Sequence, residues 1–358
     1  MTATNLFDGI SARDIETPNI NINILERTAD ATAGGAGEPS GVVVILIHGN
    51  VSSSLFFQEF MLKLPAQWRV IAPDLRGFGD TETLPVDATR GLKDFADDIF
   101  ALTQALGIER PHLMGWSMGG GIVMEYALAH PVASLTLQAP VSPYGFGGTA
   151  ADGTRLTDDD AGTGAGAANP EFLARLGEGD TSEESQASPL SVYRATYVHA
   201  GFESPHEATW VASMLSTKLG DGNYPGTSKT SENWPGFAPG ESGVLNSMAP
   251  GYFNTAAIAE LAEKPPVLWV HGDADAIVND ATIFDVNQLG ALGVIPGWPG
   301  ADVAPSQPMK AQTRAVLEQY RANGGQFEEL LLENCGHSPH LEYPDTVAQA
   351  LARTVARA

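Results

Sequence analysis

The chain is short of cysteine, short of positive charge and without a long apolar run, and each shortage removes a class of protein. A single cysteine, Cys335, in 358 residues leaves no intrachain disulfide framework and no cysteine-built metal site. Only 19 lysines and arginines stand against 43 aspartates and glutamates, a formal charge of −24. A field of that sign repels phosphate backbones and anionic lipid headgroups, so neither nucleic acid nor a membrane is an expected partner. The longest apolar stretch beside a motif, residues 42–47, has strand length and falls far short of a membrane span of ~20 residues. The first residues, M-T-A-T-N-L-F-D-G-I, show no basic cluster followed by an apolar run. No secretory signal is read there and a cytoplasmic location is expected, although a mature form without its leader would read the same way.

What is present is enough to build a core. Hydrophobic residues make up 43% of the chain and aromatics 8%, which excludes wholesale disorder. The largely β-branched run at 42–47 (V-V-V-I-L-I) reads as a strand buried on both faces, as in a parallel sheet. Further strands are predicted at 69–73, 111–116, 134–138, 266–271 and 327–332, with helical spacing at 55–64, 118–130 and 345–358. Leu92, Phe95, Ile99, Leu102 and Leu106 step by three and four along one more helix, and Gly107 supplies its stop. Strands alternating with helices define an α/β class with right-handed crossovers.

The middle of the chain breaks this rhythm. A Gly-rich loop at 145–170 contains the acidic run Asp158–Asp160, expected to be solvated. Helical pieces at 170–176 and 208–219 precede a second Gly/Pro-rich stretch at 220–243. Loops of this length are uncommon inside compact domains and often serve as lids. The predicted organisation is a core of residues 1–140 and 263–358 with a cap inserted at 141–262. The cap's many aromatics are expected to form its own small core and part of a pocket. A further irregular, Pro-rich stretch occupies 290–308.

The sharpest motif is Gly115-Trp116-Ser117-Met118-Gly119, between a predicted strand and a predicted helix. A nucleophilic serine must stand on a tight turn above the sheet edge, and small residues on either side let the strand and helix close in. His48-Gly49-Asn50-Val51, directly after the first buried strand, suits an oxyanion hole. The N–H groups of Asn50 and Met118 are the expected donors, with Val51 the nearest alternative; His48 reads as structural. Trp116 is expected to pack under the turn. In Cys335-Gly336-His337-Ser338-Pro339-His340, His337 is the preferred general base and His340 its competitor. Both Asp273 and Asp275 could supply the carboxylate that orients the imidazole; Asp275 is preferred and Asp273 assigned to the turn. No phosphate-binding loop or dinucleotide fingerprint is present. His199, Glu203 and His206 read as polar residues of a lid in preference to metal ligands, so no metal is expected.

These pieces together resemble the α/β-hydrolase fold superfamily, in its serine esterase-like branch. The matching segments are H-G-N-V at 48–51, D-L-R-G-F-G at 74–79, G-W-S-M-G-G at 115–120, H-G-D-A-D-A-I-V at 271–278 and G-H-S-P-H-L-E-Y-P at 336–344. The resemblance implies an eight-stranded, mostly parallel sheet, a triad of Ser117, Asp275 and His337, and a cap after the sixth strand. Haloalkane dehalogenases and epoxide hydrolases share the first two segments but carry aspartate where this chain has Ser117, which argues against both reactions. The implied activity is cofactor-free hydrolysis of a carboxylic ester or lactone, the partner being a medium or bulky, largely apolar small molecule. C–C or amide hydrolysis and perhydrolysis by the same triad are the alternatives, followed by a ligand-binding module with weak turnover.

Overall fold

The computed structural model describes residues 6–29 and 41–358. In chain order the strands are β1 (Ser11–Glu16), β2 (Asn21–Arg27), β3 (Val43–Ile47), β4 (Arg69–Pro73), β5 (His112–Trp116), β6 (Ser134–Gln138), β7 (Ser228–Thr230), β8 (Phe237–Pro239), β9 (Val267–Gly272) and β10 (Phe327–Leu332). The helices are α1 (Gln58–Lys63), α2 (Lys93–Ala105), α3 (Met118–Ala129), α4 (Pro170–Glu178), α5 (Pro189–Val192), α6 (Glu207–Leu215), α7 (Val286–Ala291), α8 (Met309–Ala322), α9 (Pro339–Glu342) and α10 (Pro344–Val355).

The main sheet has eight strands in the order β1-β2-β4-β3-β5-β6-β9-β10. β2 runs antiparallel to both its neighbours, and the strands from β4 to β10 are mutually parallel. The parallel arrangement brings the segments after β3, β5, β9 and β10 to one carboxyl edge, where open α/β sheets bind ligands. Those segments hold His48–Asn50, Ser117, Asp273–Asp275 and His337 respectively.

β1 and β2 escape a reading based on apolar runs. β2 buries Asn23, Glu26 and Arg27 along with its isoleucines. Their side chains reach partners: Asn23 Nδ2 donates to Asp14, Glu26 accepts from Arg13 and Arg69, and Arg27 donates to the carbonyls of Leu64, Pro65 and Trp68, while Asn23 Oδ1 and Arg27 Nε have no partner among the described residues. Buried polar residues paired in this way erase the polar face that marks an alternating strand.

The chain between β6 and β9 carries α4–α6 and the β7–β8 hairpin. α4 is specified locally. The Asn169 side chain accepts from the Glu171 N–H at 2.9 Å, Pro170 starts the helix, and Gly179 in the left-handed conformation closes it. The beginning of this region is tied to the core by buried amides. Gln312 donates to Thr149 Oγ1 (3.0 Å) and the Ala150 carbonyl (2.6 Å), and accepts from Ser142 (2.6 Å) and Gln307 (2.7 Å). Gln307 in turn donates to the Gly145 carbonyl at 3.1 Å.

The acidic run is only in part the solvated loop expected of it: Asp158 is exposed and Asp159 half-buried, but Asp160 is not solvated. Asp160 is 3% exposed, binds Arg155 at 2.5 Å and accepts from the Gly251 N–H at 2.8 Å. Asp159 accepts from Ser231 and Asn233. Partners remote in sequence, Gly251 for Asp160 and Ser231 and Asn233 for Asp159, draw these two carboxylates inward. Among the described residues, no helix is long and apolar enough to cross a membrane.

Candidate active site

Ser117 joins β5 to α3 at φ 57° and ψ −121°, a strained backbone for a residue with a Cβ. The turn is held on both sides, its N–H donating to the Gln138 carbonyl (3.0 Å) and its carbonyl accepting from Gly120 (2.9 Å) and Val141 (3.1 Å). The glycines around it are sterically required. A Cβ on Gly115 would lie 2.1 Å from the Gly119 carbonyl oxygen, and one on Gly119 would lie 2.2 Å from that of Ile47. A Cβ on Gly49 would approach the Ser117 Cβ to 2.8 Å.

His337 lies on the loop after β10. Its Nδ1 is 3.0 Å and 2.9 Å from the two carboxylate oxygens of Asp275. Asp275 is itself fixed, because Oδ1 accepts from the N–H groups of Ile277 (2.8 Å) and Val278 (3.0 Å). Asp273 is exposed and accepts from the Cys335 N–H at 3.4 Å, the turn role expected of it. His340 points elsewhere. It is wholly buried among Phe57, Phe60 and Trp116, and its Nδ1 meets Gln138 Nε2 at 2.6 Å. Burial and the neighbouring His337 push its pKa down to about 3, so the ring is neutral. Trp116 packs beneath the turn and donates from Nε1 to the His337 carbonyl at 2.7 Å.

The loop after β3 is set by its carbonyls. The Gly49 carbonyl accepts from Ser52 Oγ at 2.8 Å and lies 2.8 Å from His48 Nδ1. His48 Nε2 accepts from the Leu75 N–H at 2.9 Å, which assigns the proton to Nδ1. Burial lowers the His48 pKa to about 4. Because C=O and N–H point opposite ways across a trans peptide, fixing the Gly49 carbonyl also fixes the Asn50 N–H. The Val51 N–H is already occupied by Asn50 Oδ1 at 3.0 Å. Among the described residues, neither the Asn50 N–H nor the Met118 N–H donates to another protein group.

A cavity of about 590 Å³ brings these residues together. Asn50, Ser117, Met118 and His337 line it with apolar side chains that include Val141, Phe146, Phe172, Tyr224, Met248, Ile277 and Ile283. Most of these wall residues come from the chain after β6. Trp210, Tyr193 and Phe253, by contrast, are fully buried in the core. No group of three or more histidine, cysteine, aspartate or glutamate residues is gathered as for a metal among the described residues. His206 packs on Phe7 instead.

Two residues beside the site are ones to which the sequence assigned no role there. The Tyr197 hydroxyl reaches the carbonyls of Asn50 and Val51, both at 3.1 Å, and the ring lines the cavity. Glu342 accepts from the Gly336 N–H and the His199 N–H, both at 2.9 Å. One short segment, 193–199, is therefore bonded directly to the Asn50 loop and, through Glu342 of α9, linked to the His337 loop. Glu342 stands within the G-H-S-P-H-L-E-Y-P segment, but its partner lies in the inserted region, where no motif points.

Comparison with known proteins now places the chain. The family model of the alpha/beta hydrolase fold matches residues 42–289, so the chain belongs to that family of hydrolases. Nearer relatives match over shorter lengths. The chain is 36% identical over 96 residues to the magnesium-chelatase 30 kDa subunit of Rhodobacter capsulatus, covering 27% of this chain and 34% of that protein. It is 33% identical over 132 residues to the 2-hydroxy-6-oxo-6-phenylhexa-2,4-dienoate hydrolase of Comamonas testosteroni, covering 36% and 41%. The chain thus spans well under half the length of these curated relatives. A carboxylesterase structure from Bacillus subtilis superposes with a TM-score of 0.59 at 16% identity, covering 99% of this chain and 94% of that one, a likeness of fold alone.

Proposed function

We propose that the protein is a serine hydrolase that cleaves a carboxylic ester or lactone of a medium or bulky, largely apolar molecule through an acyl-enzyme. The observation that carries this reading is the set of neighbours at one cavity: a serine on a strained turn and an imidazole whose Nδ1 is held by a buried carboxylate. With Nδ1 engaged, Nε2 is the nitrogen free to exchange a proton. Ser117 Oγ attacks the carbonyl carbon while His337 Nε2 takes its proton. The N–H groups of Asn50 and Met118 donate to the oxyanion. As the C–O bond breaks, His337 returns the proton to the leaving alkoxide. Water then gives a proton to His337 and its oxygen to the acyl carbon, and Ser117 leaves with that proton. Asp275 holds the tautomer and the developing imidazolium. Residues 141–262 act as the cap that encloses the substrate.

Ser117→Ala should abolish turnover of p-nitrophenyl esters and leave the fold intact. A fluorophosphonate probe should label the peptide bearing Ser117 and no other. Full ester turnover in the variant would refute the assignment.

C–C bond hydrolysis by the same residues is the second reading, supported by the dienoate hydrolase relatives. Rates on matched ester and vinylogous diketone panels separate the two. Ester rates no higher than diketone rates would favour the second.

A further inference from the structure

The cavity is unbalanced in charge. All 19 lysines and arginines lie among the described residues, since the segments 1–5 and 30–40 contain none. None of the 19 lines the cavity. The acidic side chains in its wall are Glu171 and Asp285. The arginines carried by the chain around it are already committed. Arg155 binds Asp160 at 2.5 Å, Arg175 binds Glu171 at 2.9 Å and Asp180 at 2.6 Å, and Arg194 binds Glu183 and Glu207, both at 2.7 Å. Asp285 is 2% exposed, and its carboxylate is held by the backbone N–H groups of Asn287 (3.0 Å) and Gln307 (2.7 Å), with no cation beside it.

An anionic substrate entering this space would leave water without gaining a countercharge, and would approach a carboxylate. The −24 charge of the whole chain opposes its arrival as well. We propose that the site accepts acyl substrates whose acyl part is uncharged and discriminates against those bearing a free carboxylate. This rests on the serine hydrolase reading and narrows its substrate class. It also separates this protein from the relatives whose names give dienoates, which are carboxylates, as substrates.

The test uses p-nitrophenyl esters of one acyl chain length, ending either in a methyl ester or in a free carboxylate. The neutral ester should exceed the anionic one in kcat/KM by about a hundredfold, and added salt should narrow the gap. A ratio below about tenfold overturns the proposal. Ile283 lines the cavity and is partly open to solvent. Ile283→Lys should therefore raise the anionic-to-neutral ratio about tenfold or more, and an unchanged ratio counts against the proposal. Failure of the hydrolase reading is recognised separately. If Ser117→Ala still hydrolyses the neutral ester, the nucleophile assignment falls. Calorimetric binding of the methyl ester and carboxylate forms of the same N-alkyl amide to that variant then still reads the charge preference. Tighter binding of the methyl ester form supports it, and equal or tighter binding of the carboxylate overturns it.

Discussion

Replacing Asp275 by asparagine removes one charge and almost no volume, and the structure dictates which way the new amide must face. Oδ1 accepts from the N–H groups of Ile277 and Val278 at 2.8 Å and 3.0 Å, so that position must remain an oxygen. The NH2 group then occupies the place of Oδ2, 2.9 Å from His337 Nδ1. That amide repels an Nδ1–H, and the other oxygen within reach, Oδ1 at 3.0 Å, already accepts from two backbone N–H groups, so the tautomer with the proton on Nε2 is favoured. An imidazole protonated at Nε2 cannot accept the proton of Ser117. The expected loss in kcat is ~10³–10⁴, about 4–5.5 kcal/mol of transition-state stabilisation. Ester turnover and the rate of fluorophosphonate labelling should fall together, with the near-ultraviolet circular dichroism unchanged. Asp273→Asn is the matched control: exposed and 3.4 Å from the Cys335 N–H, it should lower kcat by less than about threefold. If Asp275→Asn kept more than about a tenth of the wild-type kcat, the tautomer argument would be wrong.

Two further outcomes follow from the same geometry. Gly49→Ala sets a Cβ 2.8 Å from the Ser117 Cβ and 3.2 Å from the Trp116 carbonyl oxygen, so the Asn50 loop must shift. The kcat of this variant should fall about a hundredfold while the KM changes little, and retention of half the activity would show the loop to be more tolerant than its contacts imply. The second outcome concerns acid stability. His48 and His340 are held neutral with pKa values of about 4 and about 3, below the ~6.5 of an unfolded chain. Unfolding therefore takes up protons. Their contribution is complete above pH ~6.5 and is lost as pH falls toward 4 for His48 and toward 3 for His340, each by up to about 1.4 kcal/mol per pH unit. Urea unfolding of His340→Gln between pH 6.5 and 4 should show a shallower slope than wild type, and an identical slope would remove His340 from the account.

The main sheet was largely legible because its parallel strands are short, mostly apolar segments between helical patterns and turn signals, with β3 a continuous apolar run. β1 was hidden because it is an edge strand exposed at every residue but Ile15, and β2 because its buried polar side chains pair with groups such as Arg69 and the Leu64 carbonyl, tens of residues away. The acidic run misled for the same reason: nothing near Asp160 in sequence announces the Gly251 N–H. Tyr197 was one of many aromatics in the inserted region, and only its distance from the Asn50 and Val51 carbonyls sets it apart.

The sequence by itself determined the turn at Ser117, the family and the order in which the site's pieces follow one another. The turn rests in part on local sterics, since a Cβ on Gly115 would collide with the Gly119 carbonyl four residues on, and the rest is carried by motifs that are contiguous in the chain. Tertiary structure alone decided that Asp275 and not Asp273 faces His337, that His340 is sealed in the core, and that the Val51 N–H is spent on Asn50. It also built the cavity wall from chain distant in sequence and left it without a cation. Those outcomes depend on which groups meet after long stretches of chain close on one another, and residue spacing along the chain does not encode that meeting.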